Sequence, residues 1–249
     1  MTSRLRVAAV AGLLVATVAA GVTGPTGGAS AGAADPAYEA PVVGQCHHMD
    51  ADELAGSSYS EAAVDCAGPH TSVTIAVELV PAGPALDSRS LERFALGTCL
   101  PAQRRALGTT ARGMRLTAYD VGWFVPTPEQ QAAGARWVRC DLVLGDPGLP
   151  QPLPSRVRVG RPPYDDAVAR CLAGPDHRVT VCSARHTHRA SAALRVGGPR
   201  LPSEKARTRI GEQRCRGAVG SRAYRFAWPS RAAWQAGDRT LICYTQTRR

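Results

Sequence analysis

The chain has 249 residues, 44% of them hydrophobic, with eight cysteines and a formal net charge of +10. That length suits two small domains, and no low-complexity tail is present. Beyond Val22 no apolar run is long enough to cross a bilayer, which excludes a protein built on spanning helices.

The chain opens on a secretory pattern. Arg4 and Arg6 form a positive start, Val7 to Val22 is apolar, and small-residue triplets follow at Ala29-Ser30-Ala31 and Ala31-Gly32-Ala33. Residues 1–33 are therefore expected to be a signal peptide cleaved near Ala31 to Ala34, giving a secreted or cell-wall-associated protein. The alternative is an uncleaved N-terminal membrane anchor. No cysteine stands near the cleavage region to carry a lipid. Export places the eight cysteines where disulfides persist, so staples are expected rather than free thiols.

After a short polar lead-in over 34–40, a first unit runs over 41–145. A Pro- and Gly-rich linker follows over 146–163, with a short strand expected at Arg156 to Val159. A second unit runs over 164–249. In each unit a short strand leads to a first cysteine, Val42 to Cys46 and Ala167 to Cys171. A second strand leads to the next, Ala63 to Cys66 and Arg178 to Cys182. Val73, Ile75, Val77 and Leu79 then alternate as one face of a half-buried strand. The matching set is Ala190, Ala192, Leu194 and Val196, on the opposite parity, which a bulge in one copy would reconcile. A helix follows, with Asp87 and Ser203 as N-caps. Leu91, Phe94, Ala95 and Cys99 recur along the first helix at helical spacing. The first unit carries about 13 extra residues, holding Met114, Leu116 and Tyr119, as an added strand or loop. Closing strands are expected over Arg136 to Leu144 and Thr240 to Thr245. The fold class is α+β: two tandem small disulfide-stapled domains, each a short antiparallel sheet with one main helix.

The two units repeat residue for residue at their polar landmarks. Cys66, His70 and Cys99 keep the same intervals as Cys182, His186 and Cys215. Pro126, Gly134, Arg136 and Cys140 match Pro229, Gly237, Arg239 and Cys243 without a gap. Four cysteines in a unit allow three pairings, and sequence does not choose among them. Chain order suggests Cys46–Cys66, Cys99–Cys140, Cys171–Cys182 and Cys215–Cys243.

The stretches VGQC…VDCAGPH…LGTC…VPTPEQQAAGARWVRC and VARC…TVCSARH…EQRC…WPSRAAWQAGDRTLIC resemble the actinobacterial septum-formation domain. Its pattern is a Gly-x-Cys opening, Val-x-Cys-Ser-x-Pro-His, a lone helical cysteine, and Pro-x4-Trp-x2-Gly-Asp-Arg-x3-Cys. The second unit holds the closing motif in full at Pro229, Trp234, Gly237, Asp238, Arg239 and Cys243. The first has Gln131 in place of the Trp and Ala135 in place of the Asp, with Ala67 in place of the Ser. The second has Arg185 in place of the Pro and Ala169 in place of the opening Gly. The resemblance implies a cell-envelope role in septum formation.

Chemistry enters at few places. Cys-x3-His has zinc-like ingredients, but two disulfides per unit use every cysteine, so no metal and no cofactor is expected. Ser183 lies three residues from His186, and a Ser–His–Asp set is assembled in space rather than in sequence. The first unit has Ala67 at the Ser position, so His70 and His186 are expected to serve structure or binding, beside Arg136, Arg239 and Trp234. His47, His48, His177 and His188 are expected at the surface or in turns. The Asp238-Arg239 neighbours are expected to form a local ion pair. Residues 160–249 hold 18 Arg and Lys against 6 Asp and Glu, a surplus drawn to anionic polymers. The favoured function is a secreted, non-enzymatic envelope protein acting in septum formation by binding an anionic wall polymer or a division protein. The alternative is an extracellular hydrolase using Ser183 and His186.

Overall fold

The computed structural model describes residues 34–247; the signal segment expected over 1–33 lies outside them. In the first half the order is β1 (Cys46–His47), α1 (Ala51–Ala55), β2 (Ser72–Leu79), α2 (Arg89–Leu107), α3 (Ala111–Arg115), β3 (Tyr119–Phe124), α4 (Pro128–Ala132), β4 (Trp137–Asp146) and β5 (Leu149–Gln151). The second half follows with β6 (Arg170–Ala173), β7 (Arg178–Val181), β8 (His188–Arg195), α5 (Glu204–Val219), β9 (Tyr224–Ala227), α6 (Arg231–Gln235) and β10 (Thr240–Gln246). The first sheet runs β1-β2-β4-β3, with β5 added beside β4; the second runs β7-β6-β8-β10-β9. Every pairing is antiparallel. The order β1-β2-β4-β3 is the order β6-β8-β10-β9, so both halves share one topology.

The shared topology extends to register. Thr74 faces Asp141 and Ala76 faces Cys140, leaving Ile75 bulged out. Ala190 faces Tyr244 and Ala192 faces Cys243, leaving Ser191 bulged out. Ile75 and Ser191 are equivalent positions, so both copies bulge at one place rather than one copy alone. The bulge also breaks the expected face of Val73, Ile75, Val77 and Leu79. Past it the inward residues are Ala76 and Val80, and Leu79 is left 48% exposed. The matching inward set in the second half is Ala192, Leu194 and Val196.

Helix α2 buries Leu91, Ala95 and Cys99 at spacings of four, one face against the first sheet. Its N-cap is Ser88 rather than Asp87, with the Ser88 Oγ accepting from the Leu91 N–H at 3.2 Å. The neighbouring Asp87 stands one residue outside, where its carboxylate does not reach that N–H. Gly108 ends the helix in the left-handed region at φ 61°. Ser203 caps α5 as expected, and Gly220 closes it in the same region. Disulfides join Cys46 to Cys66, Cys99 to Cys140, Cys171 to Cys182 and Cys215 to Cys243. In each half one staple ties the first strand to the turn before the buried histidine. The other pins the long helix to the closing strand.

The stretch expected as a linker packs against the protein. Its strand is β5, at 149–151, rather than at 156–159, because Leu149 to Gln151 finds the free edge of β4. Leu153 is buried, and Val157 and Val159 pack beside it. The cluster that receives them holds Leu107, Tyr119, Leu142 and Leu144 of the first half with Val181 of the second. From Ala34 onward the chain is one compact unit with a common core.

Candidate functional site: a cleft between the two halves

His70 and His186, the shared polar residues of the repeat, are both buried. The His70 Nδ1–H donates to the Gly68 carbonyl at 2.9 Å, and the His186 Nδ1–H to the Ala184 carbonyl at 2.8 Å. The Gly68 and Ala184 amides in turn close tight turns onto Asp65 and Val181. The imidazole thus braces the turn that follows the second cysteine. Ser183 is exposed, and among the described residues no hydrogen bond joins it to His186.

Arg136 donates through Nε and Nη2 to the Pro81 carbonyl, at 3.1 and 3.0 Å, and through Nη2 to that of Pro84. Arg239 donates through Nη1 to the Gly198 carbonyl and lies 5.4 Å from the Trp234 ring. Each arginine ties the loop after the bulged strand to the turn before the closing strand. Trp234 is core, packed with Val196, Leu241 and the Cys215–Cys243 staple. Asp238 does not pair with Arg239. Its carboxylate turns across the seam to Arg115 of α3, at 2.7 Å, with both side chains nearly enclosed. The extra residues of the first half thus supply a cation for the carboxylate that only the second half carries.

The two sheets differ most on their outer faces. In the first half the Cys46–Cys66 interval is 20 residues, long enough to fold α1 back over the sheet. Met49, Leu54 and Tyr59 cover Phe124 and Val143 there. Beneath them lies a buried polar group. Arg139 Nη2 and Asp141 Oδ2 stand 2.9 Å apart, and the Thr74 hydroxyl donates to Asp141 Oδ1 at 2.9 Å. Burial pushes the Asp141 carboxyl upward against the pull of Arg139 and Thr74. The Arg139 guanidinium lies 5.2 Å from the Tyr59 ring and 4.7 Å from that of Phe124. His47 is 2% exposed, with neither ring nitrogen bonded, and so is not a surface residue. His188 is buried as well, its pKa held down by burial first and then by Arg225 and His177. His48 is exposed and His177 half-buried.

In the second half the corresponding interval is 11 residues, enough for the β6–β7 hairpin alone. The positions of His47, Arg139 and Asp141 become Leu172, Ile242 and Tyr244, an apolar cluster. No counterpart of α1 covers it. That face and the first half enclose a cavity of about 620 Å³. Leu96 and Leu100 of α2, Arg115 of α3 and Asp120 of β3 form one wall. Leu172, Ile242, β9 and the adjoining Trp228 form the other. Arg170 stands at the junction, its Nε donating to the Thr117 carbonyl at 2.8 Å and its Nη2 to that of Tyr119 at 3.3 Å.

The unspent groups in this cleft include His177 Nδ1 and Arg115 Nε, both buried without a partner, and two that face a ligand's chemistry most directly. Arg225 is exposed and has no ion-pair partner among the described residues. The Trp228 Nε1–H is buried at the cavity without an acceptor. Two of the hydroxyls nearby are committed: Tyr224 donates to the Glu212 carbonyl at 3.2 Å, and Ser230 accepts from the Ala233 N–H at 3.1 Å. Aromatic faces, apolar floor and a free guanidinium suit a ligand with ring faces and negative charge. Sequence reasoning missed this cleft, because its walls are assembled from residues far apart in the chain, from Leu96 of α2 to Tyr244 of β10.

A family model described as septum formation matches residues 43–224. The match is a single stretch running through both halves. No curated protein and no solved structure matches the chain.

Proposed function

Because the chain belongs to the septum-formation family, we propose that it is an exported, non-enzymatic envelope protein that acts in septum formation by holding a wall component in the cleft between its halves. The observation that carries the binding reading is the pair of unspent groups, the Arg225 guanidinium and the Trp228 Nε1–H, on an apolar, aromatic cavity of about 620 Å³. A glycan strand with acidic substituents offers the matching chemistry: sugar faces for the rings and an anion for the arginine. Four disulfides and a family tied to the septum support an extracellular or wall-associated location. The hydrolase reading draws no support from Ser183, which is exposed, or from His186, whose Nδ1–H serves its own turn.

The test pairs location with binding. A tagged full chain is expected to collect at the septum of dividing cells. The exported protein is expected to be retained by purified cell wall at low salt, and Arg225→Gln with Trp228→Ala to lose about tenfold in retention. Uniform distribution around the cell, or equal retention of the variant, would sink the proposal.

A further inference from the structure

A second cavity of about 530 Å³ lies along the same seam and meets the cleft at Leu100, Asp238 and Thr240, where Asp238 is bridged to Arg115. Four arginines line it: Arg104 in the last turn of α2, Arg112 in α3, Arg195 at the end of β8, and Arg239 in the turn before β10. The one carboxylate in the lining is Asp238, already neutralised by Arg115. None of the four arginines has an ion-pair partner among the described residues. Four like charges around one concave surface raise its potential and draw in counter-anions.

The equivalent turn of the first half explains what such a place needs. There the turn at Gly134 is covered by the lead-in of the chain itself. A Cβ built on Gly134 would stand 2.9 Å from Ala34, and the Arg136 N–H donates to the Pro36 carbonyl at 2.9 Å. That lead-in is acidic, with Asp35 and Glu39, and Glu39 accepts from Gln130 Nε2 at 3.1 Å. In the second half a Cβ built on Gly237 meets nothing within 4 Å. Arg136 spends Nε and Nη2 on carbonyls, whereas the Nε of Arg239 is buried and unbonded. The covered turn has an acidic cover; the open turn has a ring of cations.

We propose that this second cavity is an anion site that seats phosphate groups of a phosphodiester polymer. Guanidinium matches phosphate oxygens with paired N–H donors, and several guanidinium groups around one cavity favour a group with more than two oxygens to share. Arg239 is already held in place by the Gly198 carbonyl and the Trp234 ring, so part of the ordering cost is met before binding. The inference uses residues other than Arg225 and Trp228 and stands apart from the cleft reading.

The test is calorimetric titration of the full exported chain at low salt with two probes, a glycerol-phosphate oligomer and inorganic phosphate. Three proteins are compared: wild type, Arg104→Gln with Arg112→Gln, and Arg225→Gln. Arg104 and Arg112 are exposed, so unchanged thermal unfolding is expected of the double variant and confirms its fold. The wild type is expected to bind the oligomer more tightly than phosphate. The double variant is expected to lose at least about tenfold for the oligomer, and Arg225→Gln to lose less than about twofold. Absence of wild-type binding, equal binding by the double variant, or an equal loss in Arg225→Gln would each overturn the site. Binding of phosphate without the oligomer would overturn the polymer as its source.

Discussion

His47 lies under the edge-on ring of Tyr59, with centroids 5.4 Å apart, and bonds through neither nitrogen. Burial, and then the charge of Arg139, lowers its pKa from 6.5 to about 4. The folded protein keeps the ring neutral while the unfolded chain takes up a proton below its ordinary value. The contribution of His47 to stability is therefore complete above about pH 6.5, falls as pH drops toward about 4, and levels off below that. His188 is shifted in the same direction and adds to the slope. His47→Leu copies the residue the second half uses at this place, Leu172. It is expected to flatten part of that slope and to raise Tm at neutral pH by about 2–4 °C, by removing two buried unbonded nitrogens. Thermal unfolding followed across this pH range checks both effects, and an unchanged slope would count against buried, neutral His47. The burial was hidden in the sequence for a physical reason. Nothing in Cys46-His47-His48 distinguishes the two imidazoles; the fold of α1 over the sheet does. His70 and His186 were legible because a Cys-x3-His spacing repeated twice requires one local turn geometry.

At the scale of elements, the disulfides carry the strongest expectation. The Cys99–Cys140 staple closes 41 residues and Cys171–Cys182 closes 11. Chain entropy gives about 4 kcal/mol to the longer loop and about 3 kcal/mol to the shorter. Cys99→Ala with Cys140→Ala should thus cost about 1 kcal/mol more than Cys171→Ala with Cys182→Ala. Urea unfolding of both double variants measures the difference; the reverse ranking would mean that the unfolded chain does not set the effect. The main helices and closing strands were readable from caps, periodicity and cysteine spacing. The edge strand β3 was half read, since the extra segment with Tyr119 was expected as an added strand or loop, and β9 was not, because it is short and lies where Phe226 and Trp228 mark aromatics without alternation. The stretch ending at Cys66 is no strand: it makes a single bridge, Val64 to Cys46, where the second half has all of β7. The bulges at Ile75 and Ser191 were visible only as a clash of parity between copies. Register is a property of the partner strand, which a one-strand pattern does not contain.

For the molecule as a whole, a repeated sequence suggests two independent modules, yet the seam joins them at several levels. Val181 enters the core of Leu142 and Leu144, and the Ala118 N–H donates to the Val168 carbonyl at 2.7 Å. The Arg170 N–H donates to the Leu116 carbonyl at 2.9 Å, while its side chain binds two further carbonyls of the first half. Most of these contacts use residues with no counterpart in the other copy, so aligning the halves could not disclose them. They predict one cooperative unfolding unit, in which damage on one side of the seam is felt on the other. Asp238→Ala tests this directly, since it removes a nearly buried partner of Arg115 and should cost about 3 kcal/mol. Hydrogen exchange read by mass spectrometry is expected to show equal losses of protection in β10, next to the substitution, and in β4, across the seam. Loss confined to β10 would establish two halves that unfold separately and would leave the clefts between them without a rigid frame.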